Sequence, residues 1–139
     1  MSTPALTAHR LESHLRERGF HIARDSDGDL PGRWDEHPFW FFLMPGSRLQ
    51  IRGRSSRPIA PDRRAAALLA VNAWNRDRIW PKCYLHEAAG RLHCYTEISV
   101  PLAQGLTDAQ LTQFVDCGLG TGLRFLTSLR EDLLAPAEG

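Results

Sequence analysis

The chain has 139 residues, 42% apolar and 24% charged, with a formal net charge of +1 and three cysteines. A chain of this size buries one core without metal or disulfide staples, and no apolar run approaches the ~18 residues of a membrane span. So small a net charge excludes a global pull toward nucleic acid or anionic lipid.

The N-terminus, MSTPALTAHRLESHL, lacks the basic start and apolar block of an export signal. Cys83, Cys94 and Cys117 are odd in number and unpaired in spacing, as suits reduced thiols. A cytoplasmic protein folding as one domain over 1–139 is expected.

Thr3 and Pro4 read as N-cap and first helical position, and Ala8, Leu11 and Leu15 share a face, which predicts a helix from about Pro4 to Arg18. Phe20 and Ile22 alternate with polar residues, DSDGDLPG breaks the chain, and HPFWFFLM is an aromatic run, so two strands joined by a turn-rich loop follow. Leu49 and Ile51 alternate with Arg48, Gln50 and Arg52 in a third strand, whose outer face is basic.

Pro61 and Asp62 open a second helix that buries Ala67, Leu68, Val71 and Trp74. Asn75 lies at its polar end, and Pro81 ends it and pushes Trp80 toward extended geometry. KCYLHE and RLHCYTEISV then alternate around Ala89 and Gly90. A two-residue turn there sets Leu85 opposite Cys94 and Cys83 opposite Thr96 inside, with Tyr84 opposite Tyr95 and His86 opposite His93 outside.

Thr107 and Gln110 form a capping box. It opens a last helix in which Leu111, Phe114, Gly118, Gly122, Phe125, Leu129 and Leu133 recur at helical spacing to about Leu134; the tail frays from about residue 135. The sum is an α+β domain ordered α-β-β-β-α-β-β-α, three helices on an antiparallel sheet of about five strands.

Few motifs carry chemistry. GLGTG, Gly118 to Gly122, has Leu123 where a dinucleotide-binding motif needs its last glycine, and helical spacing runs through it; Gly118 and Gly122 instead let the helix approach the sheet. Asp25, Asp27 and Asp29 are spaced as in a calcium loop, but Leu30 replaces its central glycine and both flanks read as strands, so a solvated turn is expected. Two histidines are too few for structural zinc, there is no nucleophile elbow, and Asp35 and Glu36, adjacent in a strand, would face opposite ways. No metal, cofactor or catalysis is expected.

The segment VNAWNRDRIWPKCYL, carrying Asn72, Trp74, Asn75, Trp80, Pro81 and Lys82, together with the Thr107–Gln110 cap and the Gly118–Gly122 helix, resembles the actinobacterial branch of the YbjN domain family, bacterial sensory transduction regulators. The resemblance covers most of the chain. It implies a fold similar to type III secretion chaperones, which form dimers and bind polypeptide segments of their clients, and it supplies no catalytic residues.

The expected function is therefore protein binding, chaperone-like or regulatory, by a homodimer with a partner of unknown identity. The candidate surface is Tyr84, His86, His93 and Tyr95, with Arg52, Arg54 and Arg57. The alternative is a small ligand or nucleic acid on the basic segment Arg48–Arg64. Nucleic acid is disfavoured because no aromatics interleave with those arginines in sequence.

Overall fold

A computed structural model describes residues 3–137. Helix α1 (Ala8–Glu17) precedes a meander of β1 (Leu30–Trp34), β2 (His37–Met44) and β3 (Arg48–Arg54). A short 3-10 turn at Pro61–Arg63 leads into α2 (Arg64–Asp77), then the hairpin β4 (Lys82–Ala88) and β5 (Arg91–Pro101), α3 (Asp108–Ser128) and a 3-10 turn at Glu131–Leu133. The five strands form one antiparallel sheet in the order β1-β2-β3-β5-β4. No helix among the described residues is long and apolar enough to cross a membrane.

The β4–β5 hairpin has the expected register: Cys83 faces Thr96, Tyr84 faces Tyr95, Leu85 faces Cys94 and His86 faces His93. Its turn residues Ala89 and Gly90 both have positive φ, which a two-residue hairpin turn needs to match the strand twist. The capping box is also formed: the Gln110 amide donates to Thr107 Oγ1 at 3.1 Å, and the Thr107 amide donates to Gln110 Oε1 at 2.9 Å.

Gly118 and Gly122 lie on the buried face of α3. A Cβ at Gly118 would stand 2.7 Å from Ile51 Cδ1, and one at Gly122 would stand 3.0 Å from Phe39 Cε1. These glycines set how closely the helix approaches the sheet.

Several expectations are corrected. The first helix begins at a cap on Thr7, whose Oγ1 accepts from the Arg10 amide, and not at Thr3 and Pro4. The chain before Thr7 is held differently: Leu6 is buried, and the Pro4 carbonyl accepts from the Leu106 amide. Nor do Phe20 and Ile22 form a strand. The first strand is Leu30–Trp34, and Asp35 and Glu36 are its turn to β2, both at positive φ, instead of two strand positions. Pro31 is tolerated because β1 is an edge strand. Gly32 leaves room for the Trp34 ring, which packs on Phe39 and Phe41.

In α2, Ala67, Val71 and Trp74 are buried as expected, but Leu68 is 47% exposed. Finally, α3 ends at Ser128, short of Leu134, because the chain turns back to β3's outgoing loop. The Ala60 amide donates to Leu133 O, and the Ala135 amide to Pro58 O, so the tail is tied at the residue where fraying is expected to start. Residues 138 and 139 lie outside the described part.

The open face of the sheet as candidate binding surface

Side chains of a strand alternate between faces, so the register assigns every sheet residue to a side. One side holds Phe39, Phe41, Leu49, Ile51, Cys94, Thr96 and Ile98, all buried in the core. The helices lie there: α3 packs on β2, β3 and β5, and α2 on β4. α1 is tied alongside α3 by the ion pairs Arg10–Asp108 and Arg18–Asp116. No helix among the described residues lies on the opposite side.

The register lines up the residues of that open side in rows. One runs Trp40, Arg52, Glu97, Lys82 from β2 to β4, and a second runs Arg54, Tyr95, Tyr84. At the centre Glu97, its side chain 16% exposed, accepts from Arg52 Nε at 3.3 Å and from the Tyr84 hydroxyl at 3.0 Å, with Lys82 Nζ 3.9 Å away. Arg52 also donates to Gln50 at 3.0 Å and lies over the Phe42 ring at 4.9 Å. Arg54 lies over Trp40 at 5.7 Å. Tyr84 and Tyr95 stack at 5.4 Å with ring planes 9° apart. Burial, reinforced by the Glu97 charge, pushes the Tyr84 phenol well above its ordinary range, so it stays a hydrogen-bond donor at neutral pH.

Charge on this face is lopsided. Arg33, Arg48, Arg52, Arg54 and Lys82 occupy open-face positions against one acid, Glu97; five against one leaves a surplus of four on a protein whose whole formal charge is +1. No carboxylate among the described residues pairs with Arg48 or Arg54, and Arg54 Nε is shielded from solvent without an acceptor. Beside Arg54 and Trp40 a cleft of 690 Å³ runs past Pro38 and Arg33 to Phe20 and His21 at the β1 edge.

The structure thus brings Arg52, Arg54, Tyr84, His86 and Tyr95 onto one surface and removes two expected members. His93 sits on that side by parity but is only 7% exposed. The loop after β3 folds along this end of β5, with the Ser55 and Ile59 amides bonding Cys94 O and Leu92 O. Burial, then the Arg54 and Arg91 charges, lowers the His93 pKa to about 4, so the ring is neutral at pH 7. Arg57 lies elsewhere, paired with Glu131, while Arg63 meets Asp132 and Arg64 lies 4.0 Å from Glu87. The basic segment is therefore two groups: a C-terminal half neutralised by acids, and Arg48, Arg52 and Arg54 on the open face. Trp40 and Phe42 do interleave with those arginines, through strand pairing that the linear sequence hides.

The remaining motifs are architectural. Asn75 donates to Cys83 O at 2.8 Å and accepts from the Cys83 amide at 3.0 Å, occupying two main-chain groups on the outer edge of β4. Trp74 packs edge-on against Phe125 and donates to Trp80 O at 3.2 Å. Pro81 is buried behind the half-exposed Trp80. Burial pushes the thiols of Cys83 and Cys94 up to about 12, out of reach of nucleophilic chemistry at neutral pH. Asp25, Asp27 and Asp29 form a turn in which Asp25 Oδ1 accepts from the amides of the other two.

Comparison with known proteins agrees with this architecture. The family model described as "Putative bacterial sensory transduction regulator", YbjN, matches residues 7–131. No curated protein sequence matches. Among solved structures, YbjN from E. coli, described as "a putative transcription regulator", superposes with a TM-score of 0.79 at 15% identity, over 95% of this chain and 97% of that one. An uncharacterized protein from Methanothermobacter thermautotrophicus gives 0.61 at 15% identity, over 92% and 99%. A chain of the HopA1–SchA chaperone–effector complex gives 0.54 at 20% identity, over 85% and 91%. At such identities these neighbours speak to the fold alone; the family match is what places the sequence, and this chain belongs to the YbjN family.

Proposed function

We propose that the chain is a non-enzymatic protein-binding module of the cytoplasm, chaperone-like or regulatory, that works as a homodimer and takes its partner on the open sheet face. The observation that carries this is the segregation of the fold: helices and core on one side, an uncovered surface of aromatic and cationic side chains on the other. Aromatic rings and arginines are the side chains enriched where proteins meet. A structural neighbour that is part of a chaperone–effector complex supports a polypeptide partner. Against a small anion or nucleic acid on the whole Arg48–Arg64 segment stand the ion pairs of Arg57 and Arg63, whose charges are met within the fold.

The dimer reading has its own support. The large apolar side chains left exposed among the described residues, Leu68, Leu69, Ile79 and Trp80, all fall between positions 68 and 80, on α2 and the turn after it. Exposed apolar side chains of this size are what a second copy would cover. Sedimentation should give about twice the 15.7 kDa chain mass, and Leu69→Asp, at a site 70% exposed, should halve it without unfolding the chain.

A photo-crosslinking residue placed at Tyr84 tests partner binding in the native host. Protein adducts are expected from Tyr84 and not from Gly120 on the exposed side of α3. Equal adducts from both positions, or none from Tyr84, would overturn the assignment to the sheet.

A further inference from the structure

We infer that the occupant of the open sheet face is an acidic polypeptide segment in extended form, its carboxylates meeting Arg48, Arg52 and Arg54. This rests on the protein-binding reading and names the chemistry of the partner.

Complementarity of charge is the first argument. The face carries its surplus of four positive charges on a nearly neutral protein, and Arg48 and Arg54 have no acid of their own among the described residues. The second argument is the presentation of those charges. Arg52 is held by Glu97, Gln50 and the Phe42 ring, and Arg54 by the Trp40 ring, so the guanidinium groups are partly ordered before any partner arrives. A pre-ordered planar fork loses less entropy on pairing with a carboxylate.

Spacing is the third. Arg48, Gln50, Arg52 and Arg54 are alternate residues of one strand, which repeat every ~7 Å. Alternate side chains of an extended peptide lying along β3 repeat at that same distance, so acids at every second position meet the row in register.

The alternative anion, single-stranded nucleic acid, fits less well because it needs free ring faces on which bases stack. Phe42 and Trp40 each have a face taken by a guanidinium, and Tyr84 and Tyr95 are stacked on each other.

The test is fluorescence anisotropy with a labelled synthetic peptide of about a dozen residues carrying glutamate at alternate positions. Its glutamine counterpart and an oligothymidylate of similar length serve as competing probes, against the full chain and Arg48→Gln/Arg54→Gln. The acidic peptide should bind, weaken as salt rises, and exceed the glutamine peptide by about tenfold or more. The double variant should lose about three- to tenfold. Arg48→Gln alone, at an exposed site, should lose part of that and guards against a folding defect.

Equal binding of the two peptides, no loss in either variant, or tighter binding of the oligothymidylate than of the acidic peptide at matched salt would overturn the inference. If the acidic peptide fails while Tyr84 crosslinks still capture protein, the acidic chemistry is wrong and the protein-binding reading stands. If both fail, the surface is not a docking site.

Discussion

Three glycines on one helix make an internal control for how α3 sits on the sheet. Gly120 faces outward, and a Cβ added there would meet nothing within 4 Å, so Gly120→Ala should gain the helix-propensity difference, up to about 1 kcal/mol. Gly118→Ala gains the same propensity but places its Cβ 2.7 Å from Ile51 Cδ1, 2.9 Å from Ile98 Cδ1 and 3.1 Å from Ile51 Cβ. The last of these is a branch-point carbon fixed to a central strand, so the helix or the strand must move, and overpacking of this kind costs about 1–3 kcal/mol. The net expectation is a loss of up to about 2 kcal/mol, leaving the two variants apart by the overpacking cost of about 1–3 kcal/mol, or roughly 4–12 °C in Tm for a chain this size. Gly122→Ala, with its nearest contacts at 3.0 Å to the Phe39 ring and Thr96 Oγ1, should fall between them. Urea unfolding followed by circular dichroism measures all three. If Gly118→Ala proves as stable as Gly120→Ala, the helix does not lie against the sheet as described, and the assignment of the opposite side as the open face loses its basis.

The other predictions concern burial and edge protection. His93 has a folded pKa of about 4 against 6.5 for the free side chain. As pH falls from 6.5 to 4 the unfolded chain therefore takes up a proton that the native state refuses. His93's contribution to stability should drop by about 3 kcal/mol across that window, and His93→Gln should flatten the slope in urea midpoints measured from about pH 4 to 7. Asn75→Ala strips two hydrogen bonds from the Cys83 main chain and should cost about 2 kcal/mol; Asn75→Asp keeps the acceptor, loses the donor, and should cost less than the alanine. With the thiols of Cys83 and Cys94 pushed up to about 12, an aromatic disulfide reagent at about pH 8 should label at most one cysteine, the half-buried Cys117, until the chain is unfolded, when all three should react.

How much of the fold is legible in the sequence follows from how local its determinants are. The β4–β5 register depends on alternation and a two-residue turn, both contiguous in the chain, and it is readable to the residue. β1 is not, because its strand character comes from pairing with β2 and from Trp34 folding over Gly32, while Pro31 and Gly32 by themselves read as a turn. The last helix reads too long because its apolar spacing continues into residues that bond instead to the loop at 58–60. For the site, parity places Tyr84, His86 and Tyr95 together. Nothing in the chain order announces that β3 lies beside β5, which is what carries Arg52 to Glu97 and Arg54 to Tyr95. A signal for Trp40 and Phe42 is present: if the short turn at 45–47 is taken to close a hairpin, the alternation of the two strands sets Trp40 opposite Arg52.

The distribution of ion pairs separates what folding requires from what it does not. On the helical side and the C-terminal strap, Arg10, Arg18, Arg24, Arg57 and Arg63 each meet an acid from a distant part of the chain or a neighbouring element. Such exposed pairs contribute little each but do no harm. On the open sheet face the arrangement is reversed. Arg52 and Arg54 are alternate residues of one strand, Arg48 continues the row, and the single acid is already engaged by Arg52, Tyr84 and Lys82. Like charges on alternate residues of one strand, ~7 Å apart, repel weakly, so this row slightly lowers the stability of the free protein. An anionic partner laid along β3 reverses the sign of that contribution, because each repelling guanidinium then gains a carboxylate. A surface that is electrostatically unfavourable alone and favourable when covered is what the proposed docking of an acidic segment on the bare sheet face requires.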